Sequence, residues 1–171
     1  MTTTTLGLLK RTMPSPSFAP RLLLFLAAVG VSFVPSIVGK WFGPDDWYAS
    51  IEKSSLTPPG YVFPIVWTTL YLLMGIALWR FWESDASGSA KRAGTLLFGA
   101  QLVLNGLWSY LFFGLHRPDL AMLDLALMWA AIAATIVTFG RYRRSAALLL
   151  VPYLVWVTFA GYLNFAIWQM Q

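Results

Sequence analysis

The stretch LTPPGYVFPIVWTTLY, residues Leu56–Tyr71, decides the fold of this 171-residue chain. Its Pro-Pro-Gly turn leads into an apolar run, Phe63–Trp82, which is long enough to cross a bilayer because a spanning helix needs about 20 such residues. Pro64 falls in the first turn of this predicted helix, where a missing N–H costs little. Leucines would suffice for a simple anchor, so Trp67 and Tyr71 indicate a helix with a further task.

The composition places the chain in a membrane. Hydrophobic residues make up 58% of it and charged residues 11%, against roughly 45–50% and about 25% in soluble domains. The absence of cysteine excludes disulfides, thiol catalysis and cysteine-ligated metals. The formal charge of +5 comes from short basic groups between apolar runs. Such groups set membrane orientation, and we expect no nucleic-acid partner.

Five segments are apolar and long enough to span a bilayer. Lipid cannot satisfy the open edge of a sheet, and the strands of a barrel would alternate in polarity. We therefore predict an all-α integral membrane bundle of five transmembrane helices over residues 21–171, after a basic, disordered tail over residues 1–20. Pro35 predicts a kink or unwinding near the end of the first helix. The predicted spans are Leu22–Val38, Phe63–Trp82, Ala93–Leu115, Leu120–Phe139 and Ala146–Trp168.

The distribution of Lys and Arg predicts the orientation. Nine of these residues lie in the N-terminal tail and in the second and fourth connections, and three lie in the first and third. This bias puts the N-terminus inside and places the C-terminus and the long aromatic connection Gly39–Val62 outside. A cytoplasmic membrane is favoured, with an outer or organellar membrane as the alternative. The acid-free tail has some features of a transit peptide, although a disordered tail is favoured.

Three predicted helices each carry aromatic or polar residues on one face. Amides in hydrocarbon are costly unless paired, so these faces look inward. The amide of Asn105 then serves either as a contact between helices or as a ligand contact. Three inward tryptophans would form an aromatic cage for a flat apolar ligand, although ordinary aromatic packing gives the same spacing. The faces hold Phe63, Trp67 and Met74, then Gln101, Asn105, Trp108 and Phe112, and finally Tyr153, Trp156, Ala160 and Leu163.

The chain lacks the usual constellations for acid–base or nucleophilic catalysis and for metal binding. Asp124 is a functional candidate because a carboxylate inside a membrane span is costly, although it could also pair with a neighbour. His116 stands alone in a link, where histidines are more often solvated than catalytic. Close helix contacts, in a dimer or inside the bundle, are favoured by the small residues Ala90, Gly94, Gly99 and Gly106.

Several sequence blocks occur in a characteristic order across the five helices. They are Trp47-Tyr48, Lys53, Pro58-Pro59, Phe63-Pro64, Trp67, Leu70-Tyr71 and Met74-Gly75, then QLVLNGLWSYLFFGLHRP (Gln101–Pro118) and PYLVWVTFAGYLNFAIW (Pro152–Trp168). Together they resemble the TspO/translocator protein family, also called tryptophan-rich sensory proteins or peripheral benzodiazepine receptors. The resemblance covers roughly Phe25 to Trp168. The chain departs from it at Lys53–Leu56, where the family often has Lys-Pro-x-Trp.

This resemblance implies a bundle of five helices in a lipid bilayer, commonly a homodimer. It implies a pocket beneath the first connection that binds protoporphyrin IX, haem-type tetrapyrroles or other flat apolar molecules. The porphyrin is a ligand in this reading, and no cofactor is required. The implied ligand contacts are Trp47, Tyr48, Trp67, Asn105, Trp108, Trp156, Ala160 and Leu163.

The leading functional hypothesis is a sensor or carrier in porphyrin homeostasis and the stress response. The first alternative is light-dependent porphyrin degradation that uses Trp67 and Trp156 beside the bound ring. The second alternative is an oligomeric membrane scaffold with an incidental pocket. A secondary transporter with coupled ions is disfavoured, because we find no inverted repeat and few charges within the spans.

Overall fold

The structure, a computed structural model, describes residues 18–171. Five helical spans in this range are long and apolar enough to cross a membrane, and no strand occurs in it. The predicted all-α, five-span fold is therefore confirmed. Most of the predicted tail, residues 1–20, lies outside the described range, and its division from the bundle stays a prediction.

Residues 18–171 form seven α-helices: six belong to the five spans, and one is a short helix in the first connection. The spans begin up to five residues earlier than hydropathy predicts, because polar side chains can start a helix: Ser87 Oγ accepts from the backbone N–H of Ala90 at 3.3 Å. Helix α5 ends in a π-helical turn, Tyr110–Gly114. The helices are α1 (Phe18–Ser32), α2 (Val34–Trp41), α3 (Asp46–Ser50), α4 (Val62–Trp82), α5 (Gly88–Ser109), α6 (Pro118–Gly140) and α7 (Arg144–Met170).

The first span breaks at Phe33, which agrees with the kink predicted from Pro35. The backbone N–H of Phe33 bonds the Gly30 carbonyl at 3.2 Å, a tight turn that ends α1. Pro35 then occupies the first turn of α2, where its missing N–H leaves no hydrogen bond unmade. As a result α1 packs against α4, whereas α2 packs against α5 and makes little contact with α4.

Glycines allow two close approaches inside the bundle. A Cβ added to Gly75 would lie 2.6 Å from the Cα of Val29, so α1 and α4 can approach this closely only without a side chain there. A Cβ on Gly106 would lie 3.3 Å from the Val38 side chain on α2. Gly99 has no atom within 4 Å of such a position. Gly106 therefore serves internal packing, and the homodimer stays a prediction.

An ion pair and a hydrogen bond join helices at the end of the bundle opposite the long connection. Arg21 Nε donates to Glu83 Oε1 at 2.7 Å, and Arg80 Nη1 donates to Ser145 Oγ at 2.8 Å. The guanidinium of Arg21 holds the pKa of Glu83 below its usual range. These contacts place α1, the α4–α5 turn and the start of α7 at one end. Which end faces the cytoplasm stays a prediction.

The Gly75 contact yields a test of packing. Gly75→Ala should lower the free energy of unfolding by about 1–3 kcal/mol, because the new methyl group forces α1 away from α4. Gly99→Ala is the matched control and should be neutral or stabilising by up to about 1 kcal/mol, since alanine favours helix and meets open space. Unfolding in detergent micelles measures both. Equal stability of the two variants would contradict the close approach.

Candidate functional site

The long first connection folds over one end of the bundle, as expected from its aromatic residues. Asp45 Oδ1 accepts from the backbone N–H of Tyr48 at 3.0 Å and so starts the short helix α3. The ring of Trp47 then meets Phe112 edge-on at 5.6 Å between centroids, and Tyr48 meets Phe113 edge-on at 5.3 Å. These contacts dock α3 on the π-helical turn that ends the third span.

A polar contact fastens the same loop. His116 Nε2 lies 2.9 Å from Asp45 Oδ2, and the imidazole stacks on Trp47 at 4.4 Å with an 18° angle between the ring planes. His116 also has a positive φ of 53°, a conformation that non-glycine residues adopt infrequently. The backbone N–H of Tyr48, and then His116, hold the pKa of Asp45 below its usual range. His116 is thus a loop contact, and the sequence offered no sign of a partner 71 residues away.

A cavity of about 350 Å³ lies beneath this loop. It is bounded by α2, α4, α5 and α7, with two residues of α6, and its volume lies in the usual range of about 300–1,000 Å³ for small-molecule sites. All three of the inward tryptophans expected from helical spacing line it. The aromatic residues of the lining are Phe42, Tyr48, Phe63, Trp67, Tyr71, Trp108, Phe112, Phe113 and Trp156.

Seven of the eight predicted contact residues line the cavity, namely Tyr48, Trp67, Asn105, Trp108, Trp156, Ala160 and Leu163. Trp47 is the eighth, and it lies outside the lining because its ring packs between His116 and Phe112. Its role is to hold the loop. Met74, predicted to share the face of Trp67, is instead fully buried in the helix core. Their role as ligand contacts stays a prediction.

The floor of the cavity is a hydrogen-bonded cluster around Asn105. Tyr71 donates its hydroxyl to Asn105 Oδ1 at 2.8 Å, and Asn105 Nδ2 donates to the Tyr153 hydroxyl at 3.2 Å. The same amide nitrogen lies 3.8 Å from the sulfur of Met128. Asn105 therefore links α4, α5, α6 and α7. Of the two roles weighed from the sequence, the contact between helices is observed, whereas the ligand contact stays a prediction for a residue that lines the cavity.

A second buried amide holds the wall of the cavity. Trp108 Nε1 donates to Asn164 Oδ1 at 3.2 Å, and Asn164 Nδ2 donates to the carbonyl of Pro118 at 2.7 Å. This chain fixes the Trp108 indole in place and ties the start of α6 to α7. Helical spacing alone does not reveal this role for Asn164, because its partners lie 56 and 46 residues away.

Aromatic pairs stiffen the opposite wall. Trp67 stacks on Tyr71 at 5.3 Å, and Phe63 meets Trp156 edge-on at 5.9 Å. Such pairs contribute about 0.5–1.5 kcal/mol each beyond the area they bury. Tyr71 was absent from the predicted contacts, although its position four residues after Trp67 puts both on one helical face.

Two buried polar residues lie away from the cavity. Asp124 and Gln101 are both buried, line no part of the cavity, and have no hydrogen-bond partner within residues 18–171. Asp124 thus does not pair with a described neighbour, and its sequence-based candidacy gains no support from the cavity. No group of three His, Asp or Glu side chains in this part of the chain could hold a metal ion.

Comparison with known proteins gives consistent matches over nearly the whole chain. The family model of the TspO/MBR family matches residues 12–169. The tryptophan-rich protein TspO of Chlorobaculum tepidum is 38% identical over 154 residues, which cover 88% of this chain and 98% of that protein. The tryptophan-rich sensory protein of Cereibacter sphaeroides is 41% identical, with 84% and 86% covered. The translocator protein of Bos taurus is 36% identical, with 85% and 90% covered.

The Asn105 cluster predicts a measurable contribution to stability. Asn105→Leu should lower the free energy of unfolding by about 1–3 kcal/mol, because the buried Tyr71 hydroxyl loses its acceptor and the Tyr153 hydroxyl keeps only the sulfur of Met128. Unfolding in detergent micelles measures the loss. In a Tyr71→Phe/Tyr153→Phe background the same substitution should cost clearly less, since no hydroxyl is left unpaired. Equal losses in both backgrounds would mean that the amide acts through packing alone.

The Asp45–His116 contact predicts a pH-dependent loop. The pKa of Asp45 is lower in the folded state, so its stabilisation is full above the ordinary carboxyl pKa and is lost as the pH falls through the lowered value. Amide hydrogen exchange of α3 should therefore stay constant from neutral pH to about pH 4 and accelerate as the pH falls further, after correction for intrinsic rates. Asp45→Asn keeps the helix cap but removes the charge, and it should raise exchange at neutral pH about two- to fivefold.

Asp46→Asn is the matched control for this loop. Asp46 is exposed in the first turn of α3 and makes no described ion pair. Its substitution should leave the exchange rates of α3 close to those of the wild type. An equal effect of the two substitutions would show that net charge, and not the His116 contact, holds the loop.

Proposed function

Because the chain belongs to the TspO/MBR family, we propose that its cavity binds a tetrapyrrole such as protoporphyrin IX or haem. The protein is a multi-pass membrane protein, and in this proposal it acts as a sensor or carrier in porphyrin homeostasis and the stress response. One observation carries the proposal: Trp67, Trp108 and Trp156, from three different helices, line one cavity.

The chemistry of the lining supports a flat apolar ligand. Indole rings offer large apolar faces that stack on another π-system, and such pairs contribute about 0.5–1.5 kcal/mol each beyond buried area. Trp67 and Trp108 are already held by contacts within the protein, with Tyr71 and Asn164 respectively. A ligand that meets walls fixed in this way loses less binding energy to ordering side chains. Other flat hydrophobic molecules share this chemistry and are included in the proposal.

Light-dependent degradation of the bound ring is a second candidate. It is favoured by one observation, that both Trp67 and Trp156 line the cavity where a stacked ring would lie. In this reading light excites the porphyrin, dioxygen is the oxidant that opens the ring, and the indoles exchange electrons with the excited ring. The chemistry needs no carboxylate pair of the kind that acid–base catalysis requires.

Trp67→Leu should weaken the binding of protoporphyrin IX about three- to tenfold, the loss expected for one aromatic pair. Saturable quenching of tryptophan fluorescence, titrated in the dark in detergent micelles, measures the affinity. Trp129→Leu is the matched control, because Trp129 bonds Thr158 on another face and lines no part of this cavity. Its affinity should equal that of the wild type.

The outcomes separate the candidate functions. No saturable quenching by the wild type would overturn tetrapyrrole binding, and equal affinities of the two variants would overturn the role of Trp67.

The same samples under light test the second candidate. An absorbing product that forms with the wild type, and not with Trp67→Phe/Trp156→Phe, would establish degradation. Binding that is indifferent to every cavity substitution would favour the scaffold.

A further inference from the structure

Among residues 18–171, Lys40 is the one charged side chain that lines the cavity. It lies in the last turn of α2 and is exposed, so it occupies the mouth of the cavity and not its floor. Within residues 18–171 it makes no ion pair and donates no side-chain hydrogen bond. The other lysine at this end, Lys53, is already engaged by the carbonyl of Ile51 at 2.9 Å and by the ring of Tyr48.

The polar groups at the floor of the cavity are hydrogen-bonded to one another. The hydroxyl of Tyr71 and the amide of Asn105 are paired, and so are the Trp108 indole N–H and the amide of Asn164. An acidic group placed deep in the cavity would therefore find no free cation and would be buried without a counter-charge, which is strongly unfavourable. Among the polar lining residues of this part of the chain, those whose side chains make no hydrogen bond are Lys40, Tyr48, Trp67, Ser109 and Trp156.

The break at Phe33 places Lys40 at this mouth. Because α2 turns toward α5 and makes little contact with α4, the side chains of α2 and the first turns of α4 face each other across the cavity. Lys40 and Pro64 line the cavity from these two helices, and both are exposed. Because Lys40 is exposed, its ammonium can meet an anion without the large desolvation cost of a buried ion pair.

We propose that Lys40 is a specificity-determining residue that pairs with a carboxylate on the edge of the ligand. The proposal rests on the proposed function and sharpens it. The preferred ligand is a flat apolar ring with an acidic edge, bound with the ring between the tryptophans and with the acid at the mouth. A ring of the same shape without the acid binds by stacking alone and gains nothing from Lys40.

The test compares protoporphyrin IX with its dimethyl ester, which keeps the ring and removes both charges. The wild type, Lys40→Met, Lys40→Arg and Lys91→Met are titrated in detergent micelles by fluorescence quenching. The wild type should bind the free acid about five- to tenfold more tightly than the ester. Lys40→Met should lose this preference through weaker binding of the acid, with unchanged affinity for the ester. Lys40→Arg should retain the preference.

Lys91→Met controls for net charge, because Lys91 lies in the first turn of α5 at the opposite end of the bundle. It should keep the wild-type preference. Added salt should weaken the binding of the acid to the wild type and leave that of the ester unchanged, since screening acts only on the charged pair.

The possible failures are distinguishable. If the wild type binds neither compound, the proposed function itself fails. If it binds acid and ester equally, or if Lys40→Met keeps the preference for the acid, the tetrapyrrole cavity stands and the Lys40 contact is overturned. If Lys91→Met loses the preference as fully as Lys40→Met does, net charge and not the site attracts the acid.

Discussion

The amide of Asn105 is the contact on which the arrangement of the bundle most depends. A bilayer offers no water to satisfy buried polar groups, so each must find a partner inside the protein. The oxygen of this amide accepts from Tyr71 on α4, and its nitrogen donates to Tyr153 on α7 beside Met128 on α6. One side chain thereby fixes the positions of four helices and closes the floor of the cavity.

The cavity exists because one span does not pack along its whole length. The break at Phe33 lets α1 stay against α4 while α2 moves onto α5, where Gly106 receives Val38. The space left between α2 and α4 is then covered by the loop that carries α3. The short helix is held by aromatic contacts to the π-helical turn and by the Asp45–His116 pair. Helix α2 and the loop that carries α3 thus both pack on the bundle and bound the cavity.

Polarity in the cavity is graded from floor to mouth. The amides and hydroxyls at the floor are paired, and the walls are aromatic. In the described part of the chain the only charged lining residue is Lys40, which is exposed at the mouth. This gradient suits a molecule with an apolar body and one acidic edge. In the proposed function, such a ligand would bind without burying an unpaired charge.

The sequence by itself determined the five spans, the break near Pro35 and most of the cavity-lining faces. Those features follow from local rules: the length and hydropathy needed to cross a bilayer, the missing N–H of proline, and the helical period that puts Trp67 and Tyr71, or Asn105 and Trp108, on one side. The identity of the family was also evident from the order of its motifs.

Only the tertiary structure decided which inward residues face the cavity and which bind each other. The ring of Trp47 stacks on His116 and does not line the cavity, and Met74 is buried in the core. Spacing along one helix reports which side of that helix a residue occupies. It carries no information on the neighbouring helix that meets this side, because that choice depends on contacts between residues far apart in the chain, such as Asp45 with His116.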